Sequence, residues 1–296
     1  MSIQPQGGTN STLDNLLRLS WDSLAEYQKW HLDNAHMITQ VWLWHETVGN
    51  REGSFQFPGI CSICKVQTTF SMQSRKADPG DTFAFRTDWW MRAQCSCEMS
   101  ALERSVLQLL FDSCSSDTKI YHVGEHSPFR RWLANKLPNV VSSQFEPGRQ
   151  PGEIIGGVRY EDLTSLSFSD ESFDCTICME ILEHVPNYNL ALRELARTLK
   201  PGGRVLLSFP WLGGTNYDHL IRAVMNADGS ITHILPPEYH GDPAQPDDGI
   251  LSFRAFGWKI LDELREAGFS KASANVVFGP LHGFYSALNP VIVGIR

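Results

Sequence analysis

A chain of 296 residues that is 42% hydrophobic and 20% charged has the composition of a globular protein, with length to bury a core in one large domain or two smaller ones. Its net charge of −8 argues against a surface built to grip a phosphate backbone, and the nearest basic pair, Arg130-Arg131, is too small to serve as one. No apolar run reaches the ~18 residues of a membrane helix, and the opening Met-Ser-Ile-Gln-Pro-Gln-Gly-Gly has neither the basic start nor the apolar centre of an export signal, so a cytoplasmic protein is expected.

Residues 1–12, rich in Gly, Ser, Asn and Gln, read as a disordered tail. Asp22-Ser23 looks like a helix start, and Leu24, Tyr27, Trp30, Met37, Ile38, Val41 and Trp44 recur at helical spacing up to Gly49. From Cys61 to Cys97 the pattern is one of short strands and turns. Ser100-Ala-Leu-Glu103 is a capping box, in which hydroxyl and carboxylate each satisfy a free backbone donor, and it opens a helix carrying Leu102, Val106, Leu109 and Leu110.

An alternating pattern begins at Lys119. Strands are predicted over 119–123, 140–143, 157–160, 174–179 and 204–209. Ser127-Pro128 opens the helix that runs to Leu137, and a second helix spans Asn187 to Leu199 with Leu190, Leu195 and Leu199 inward. Pro201-Gly202-Gly203 ends that helix. Residues 211–252 break the alternation; the stretch from Tyr217 to Met225 suits a short helix. A helix over 256–267 and two strands, 272–278 and 290–295, close the chain. The fold expected is α/β: a Rossmann-like, doubly wound, mainly parallel sheet with an antiparallel edge strand, preceded by a small helical and cysteine-rich region. The division expected is 13–115 for that region and 116–296 for the sheet domain, with a substrate-side insertion at 211–252.

Seven cysteines without an export signal do not make a disulfide framework. Cys61-x-x-Cys64 and Cys95-x-Cys97 instead offer four thiolates in two close pairs, the donor set of tetrahedral structural zinc; the alternatives are two pairs of buried free thiols, or one pair plus a histidine. Cys175-x-x-Cys178 has the same spacing inside a predicted strand, where positions i and i+3 face opposite sides, so no metal is expected there.

Several elements agree in order across the sheet domain: Gly156-Gly-Val-Arg-Tyr-Glu-Asp162-Leu-Thr-Ser-Leu-Ser-Phe168, Asp170-Glu-Ser-Phe-Asp174, Leu182-Glu183-His184-Val185, and Leu195 to Leu199 followed by Lys200-Pro-Gly-Gly203. In these, residues 119–296 resemble the class I S-adenosylmethionine-dependent methyltransferases with a type 11 domain. The resemblance implies that Asp162 accepts from the adenine amino group with Leu163 beside it, and that Met179, Glu180 and His184 border the methionine end of the cofactor. The first-strand loop, Val123-Gly124-Glu125-His126-Ser127, departs from the family's Gly-x-Gly-x-Gly run, leaving Gly124 and Glu125 to line the turn. Gln144 stands where the family has the acid that binds the ribose hydroxyls. A similar cysteine-rich segment occurs in a subset of such bacterial enzymes.

Between the fifth strand and the next helix, His233-Ile-Leu-Pro-Pro-Glu238-Tyr239-His240-Gly-Asp242 gathers histidines, carboxylates and a tyrosine. Methyl transfer is an in-line displacement that asks for alignment and water exclusion, and an oxygen nucleophile gains from a base that titrates near neutrality. His240 is the candidate base, with Tyr239 or Asp242 orienting it; a lid whose polar groups bond its own backbone is the alternative. The function expected is methylation, at oxygen first, of a small organic molecule or sugar in a biosynthetic pathway, with no nucleic-acid or membrane partner. N- or C-methylation of a natural product, or a non-catalytic S-adenosylmethionine-binding scaffold, are the competing expectations.

Overall fold

The structure of the protein is a computed structural model that describes residues 16–49, 52–76, 85–87, 94–95, 97–111, 114–124, 128–242, 245–285 and 289–296. The tail 1–12, Trp89-Trp90, Glu125 and the Ser127 cap lie outside the described residues.

In chain order the first elements are strand β1 (Leu17–Trp21) and helices α1 (Leu24–Asp33) and α2 (Ala35–Gly49). Ser23 and Glu26 cap the first helix reciprocally: Ser23 Oγ accepts from the Glu26 amide and the Glu26 carboxylate accepts from the Asp22 amide. Next come β2 (Gly53–Cys61), β3 (Val66–Lys76), β4 (Phe85–Thr87) and α3 (Ala101–Phe111). The capping box at Ser100 forms as its sequence predicts, with Ser100 N to Glu103 Oε2 at 2.6 Å and Glu103 N to Ser100 Oγ at 3.2 Å.

There follow β5 (Ile120–Val123), α4 (Pro128–Lys136), β6 (Val140–Ser143), β7 (Ile154–Ile155), β8 (Val158–Arg159), β9 (Phe173–Met179), α5 (Tyr188–Thr198) and β10 (Leu199–Ser208). The insertion holds β11 (Leu220–Ile221), β12 (Ala223–Met225), β13 (Ile231–His233), β14 (Tyr239–Asp242), β15 (Gln245–Leu251) and β16 (Arg254–Ala255). Helix α6 (Ile260–Glu266), β17 (Lys271–Phe278) and β18 (Val291–Ile295) complete the chain.

The chain divides into two compact units, one drawn from 1–19, 31–108 and 276–287, the other from 20–30, 109–275 and 288–296. In the first unit β2, β3 and β4 form an antiparallel sheet. Its core joins Cys61, Phe70, Met72, Cys95, Ala101 and Tyr285, with Trp44 stacked on Tyr285 at 5.6 Å between ring centres.

In the second unit the sheet runs in the order β17-β18-β10-β9-β5-β6. β6, β5, β9 and β10 are mutually parallel, while β18 runs antiparallel to both β10 and β17. The antiparallel strand therefore stands inside the sheet, between two neighbours that complete its hydrogen bonding. β9 is apolar on both faces, with Phe173, Cys175, Ile177 and Cys178 buried, as a central parallel strand must be. Gly203 sits where β10 bulges between Leu199 and Arg204; a Cβ there would stand 2.8 Å from the Lys200 carbonyl oxygen.

Four local expectations change. The segment 157–160 is no full strand: β8 pairs with β7 as a hairpin, and only Tyr160 bridges to Gln144 beyond β6. In α5 the buried face is Tyr188, Ala191, Leu192, Leu195 and Ala196; Leu190 is turned off that stripe and is 39% exposed. Tyr217 to Met225 is not helical, because β12 and β13 form a hairpin whose turn carries Asp228-Gly229, Gly229 having φ +84° and Asp228 Oδ1 accepting from the Ser230 amide. Helix α6 starts only at Ile260, since the Phe256 backbone is already bonded to Pro210 and Leu212.

Candidate functional site

The parallel strands end level with one another: Val123 pairs with Ser143 and with Cys178, and Ser208 pairs with Met179. Ligands of such sheets bind beyond this carboxyl edge. Gly124, the first residue past β5, has φ +111°, a conformation that favours glycine, and its amide bonds the Ser143 carbonyl. Gln144 follows β6; its backbone bonds Arg159 and Glu161, and its carboxamide makes no bond to a described residue.

The loop after Tyr160 separates two adjacent carboxylates. Glu161 is 4% exposed and fully engaged, accepting from Arg159 Nε, Ser167 N and Ser167 Oγ, so it holds the loop together. Asp162 is half-buried; one oxygen accepts from the amide and hydroxyl of Thr164, and the other takes no protein donor. Leu163 beside it is buried. Glu194 and Arg197 of α5 bind the Leu166 amide and the Leu166 and Phe168 carbonyls, which fixes the loop on the helix.

Past Met179, Glu180 adopts φ +53°, an uncommon conformation for a residue with a side chain, and its amide bonds the Ser208 carbonyl. The chain turns there into a short 3-10 helix, Leu182–His184. Glu183 is fully buried, and neither carboxylate oxygen has a hydrogen-bond partner among the described residues. Two imidazoles face it: His240 Nδ1 at 3.5 Å and His184 Nε2 at 3.6 Å from the same oxygen. His184 donates its Nδ1–H to the Leu251 carbonyl at 2.9 Å, and His240 Nε2 lies 3.1 Å from Glu238 Oε1. Glu183 beside His240 pushes the imidazole pKa up to about 9 against the effect of burial.

His240 is thus oriented by Glu183 and Glu238. Tyr239, expected to do this, is 58% exposed, and the Asp242 side chain lies outside the described residues. The inserted strands are latched onto the 3-10 turn by the Phe253 amide to the Glu183 carbonyl and by Arg254, whose guanidinium donates to the Val185 and Pro186 carbonyls. The sequence reading left out Glu183, although it lies in the Leu-Glu-His-Val motif. Only a partner from the insertion, His240, shows that it faces inward.

A second network, His219 Nε2 to Glu263 Oε2 and Tyr188 Oη to Glu263 Oε1, both 2.8 Å, is buried and fully bonded; it anchors the insertion to α6. A polar cleft lined by Thr118, Asp174, Lys200 and Gly203 lies at the opposite, amino end of β9 and β10 and is spanned by the Lys200–Asp174 ion pair.

In the first unit the four predicted cysteines converge, their sulfurs all within 4.8 Å of one another. Cys61 and Cys95 are 3.4 Å apart and buried; Cys64 and Cys97 are half-buried. Each pair sits in a tight turn followed by a left-handed residue, Lys65 at φ +59° and Glu98 at φ +63°. The Cys64 amide points at Cys61 Sγ and the Cys97 amide at Cys95 Sγ. Burial pushes the Cys64 thiol up to about 12, whereas hydrogen bonds from Cys95 and Cys97 pull Cys61 down. Four thiols so placed cannot all ionise without a cation among them. Cys175 and Cys178, by contrast, are buried in β9 with their thiols pushed up by burial.

Comparison with known proteins bears on the second unit. The ubiquinone biosynthesis O-methyltransferase of Xanthomonas oryzae pv. oryzae is 57% identical over 37 residues, 12% of this chain and 16% of that protein. The demethylmenaquinone methyltransferase of Streptomyces avermitilis is 34% identical over 123 residues, 38% of this chain and 48% of that protein. The chain thus spans less than half the length of these curated relatives. An S-adenosylmethionine-dependent methyltransferase from Mesorhizobium loti aligns with 68% of this chain and 100% of its own at 16% identity, with a TM-score of 0.41. Residues 139–207 match the family described as a methyltransferase domain. That segment includes β6, the loop of Asp162, β9 and the Leu-Glu-His-Val turn, and through it the chain is similar to the class I S-adenosylmethionine-dependent methyltransferases.

Proposed function

We propose that the protein methylates an oxygen of a small organic molecule or sugar in a biosynthetic pathway. The observation that carries this is the carboxyl edge of β5, β6, β9 and β10, where unengaged polar groups stand beside the family's own motif. Bound there, S-adenosylmethionine supplies a methyl group on a sulfonium sulfur. The donor set suits that cofactor: the free oxygen of Asp162 accepts from the adenine amine, Leu163 covers the ring, and the Gln144 carboxamide meets the ribose hydroxyls as a neutral substitute for an acid. Gly124 allows the turn after β5 to approach the ligand, with Glu125 beside it. Met179 and Glu180, held over the edge by the left-handed turn, line the methionine end. His184 and His240 face the acceptor from the Glu183 side, and the latched insertion keeps water from the line of transfer.

Cys61, Cys64, Cys95 and Cys97 hold structural zinc in this proposal: four sulfurs, two turn-held pairs and two amide-to-sulfur bonds make a closed tetrahedral site with no open position for chemistry.

Calorimetry with S-adenosylmethionine, followed by assay for S-adenosylhomocysteine released with a pool of hydroxylated metabolites, tests the assignment. Asp162→Ala is expected to weaken cofactor binding about 10-fold, the loss of roughly one hydrogen bond to an otherwise satisfied amine. An unchanged dissociation constant in that variant removes Asp162 from the site. Tight binding by the wild type without turnover on any pool would favour the scaffold instead.

A further inference from the structure

Glu183, His184 and His240 are arranged as ligands are arranged around an ion. Their three inward atoms lie within 4.8 Å of one another. The two nitrogens stand 3.5 and 3.6 Å from one oxygen of Glu183, too long for good N–H···O hydrogen bonds, which cluster near ~2.9 Å. They match the ~3.4 Å edge expected between two ligands of a tetrahedral centre with bonds of ~2.1 Å. The Glu183 carboxylate is fully buried and has no hydrogen-bond donor on either oxygen, a costly state unless something positive sits against it.

The outer nitrogens supply a second, independent observation. The Nδ1 atom of His184 bonds the Leu251 carbonyl, and the Nε2 atom of His240 bonds the Glu238 carboxylate, itself paired with Arg222. Each ring therefore has its far N–H held by an acceptor and its near nitrogen turned to the common centre. That is how metal-bound histidines are oriented, the carboxylate partner raising the basicity of the ligand. The His184 and His240 rings cross at 82° with centres 5.0 Å apart, edge to face and not stacked.

We propose that Glu183, His184 and His240 bind a divalent transition-metal ion, at a site separate from the four-cysteine cluster and built jointly by the Leu-Glu-His-Val turn and the inserted strand β14. Two imidazoles and one carboxylate suit zinc, cobalt, manganese or ferrous iron better than calcium. Three protein ligands leave positions open, and His240, 27% exposed in its side chain, marks the side from which an oxygen ligand enters. An acceptor hydroxyl bound there would have its pKa lowered by the ion; this last consequence rests on the methyltransferase assignment, whereas the ion site does not.

The test titrates the full-length protein, its cysteine cluster already filled with zinc, with Co²⁺ and follows the visible spectrum. One further equivalent is expected with weak d–d bands and no thiolate charge-transfer band. Glu183→Gln and His240→Ala should each abolish that equivalent, and Glu238→Gln should weaken it about 10-fold, as loss of an orienting partner does. His240 lies on the inserted hairpin, so His240→Ala reads the site even if Glu183→Gln does not fold. Cys97→Ser should leave the equivalent intact. A wild type that takes up no second Co²⁺ at millimolar concentration, or keeps it in His240→Ala, overturns the proposal. Because affinity for Co²⁺ is read directly, that failure is distinguishable from failure to bind S-adenosylmethionine.

Discussion

The four-cysteine cluster and the Glu183 cluster crowd charge-bearing groups in opposite ways. The cysteines come as two sequence-local pairs in turns, and two of them, Cys61 and Cys95, form part of a buried cluster with Phe70, Met72, Ala101 and Tyr285. Glu183 stands on a sheet that buries both faces of β9 and has ample core of its own. A metal bound in the first region would therefore act on folding, whereas one bound in the second would act on chemistry carried by a sheet with its own core. The lesson is that buried ligand sets have different consequences according to how much apolar burial surrounds them.

Stripping the metal should break this comparison most sharply. With a structural zinc contributing on the order of 10 kcal/mol, a strong chelator or Cys61→Ser is expected to erase hydrogen-exchange protection of β2 and β3 while amides of β9 and β10 stay protected. Equal loss in both would show that the sheet also depends on the ion. On the other side, Ile177→Ala removes a fully buried side chain from β9 and should cost about 3 kcal/mol in denaturant unfolding; a cost under ~1 kcal/mol would mean that the sheet core is less tightly packed than its burial indicates.

The smallest effect concerns pH. His122 in β5 is buried and its pKa is lowered to about 4 because burial disfavours the imidazolium. The unfolded chain binds that proton near 6.5 and the folded chain only near 4, so stability is full above pH 6.5 and falls as the pH drops through that window. From pH 7 to pH 5 the loss is about 2 kcal/mol. His122→Leu should flatten that part of the stability profile; an unchanged slope would assign the acid sensitivity to other groups.

Much of this was legible in the sequence, for local reasons. Ser100-x-x-Glu103 forms its box because both partners lie within one turn. The strand at 173–179 declares itself by its apolar Phe173, Cys175, Ile177 and Cys178, whereas Pro201-Gly202-Gly203, expected to end the helix, forms the bulge inside β10. Cys61, Cys64, Cys95 and Cys97 announce a site by spacing alone, and they meet. The insertion was harder. Its apolar residues also fit a helical spacing, and the Asp228-Gly229 turn that makes β12 and β13 a hairpin outweighs that periodicity. Leu190 shows the same limit: its place on α5 is decided by which stripe meets the sheet.

The sequence by itself determined the alternation of strands and helices, the cysteine set and the family motif, because each is written in residues a few positions apart. Only the tertiary structure decided which groups His240 faces and that Glu183 is buried beside it. Those two meet by packing an inserted strand over a distant turn, and no local pattern encodes which buried oxygen will be left without a donor.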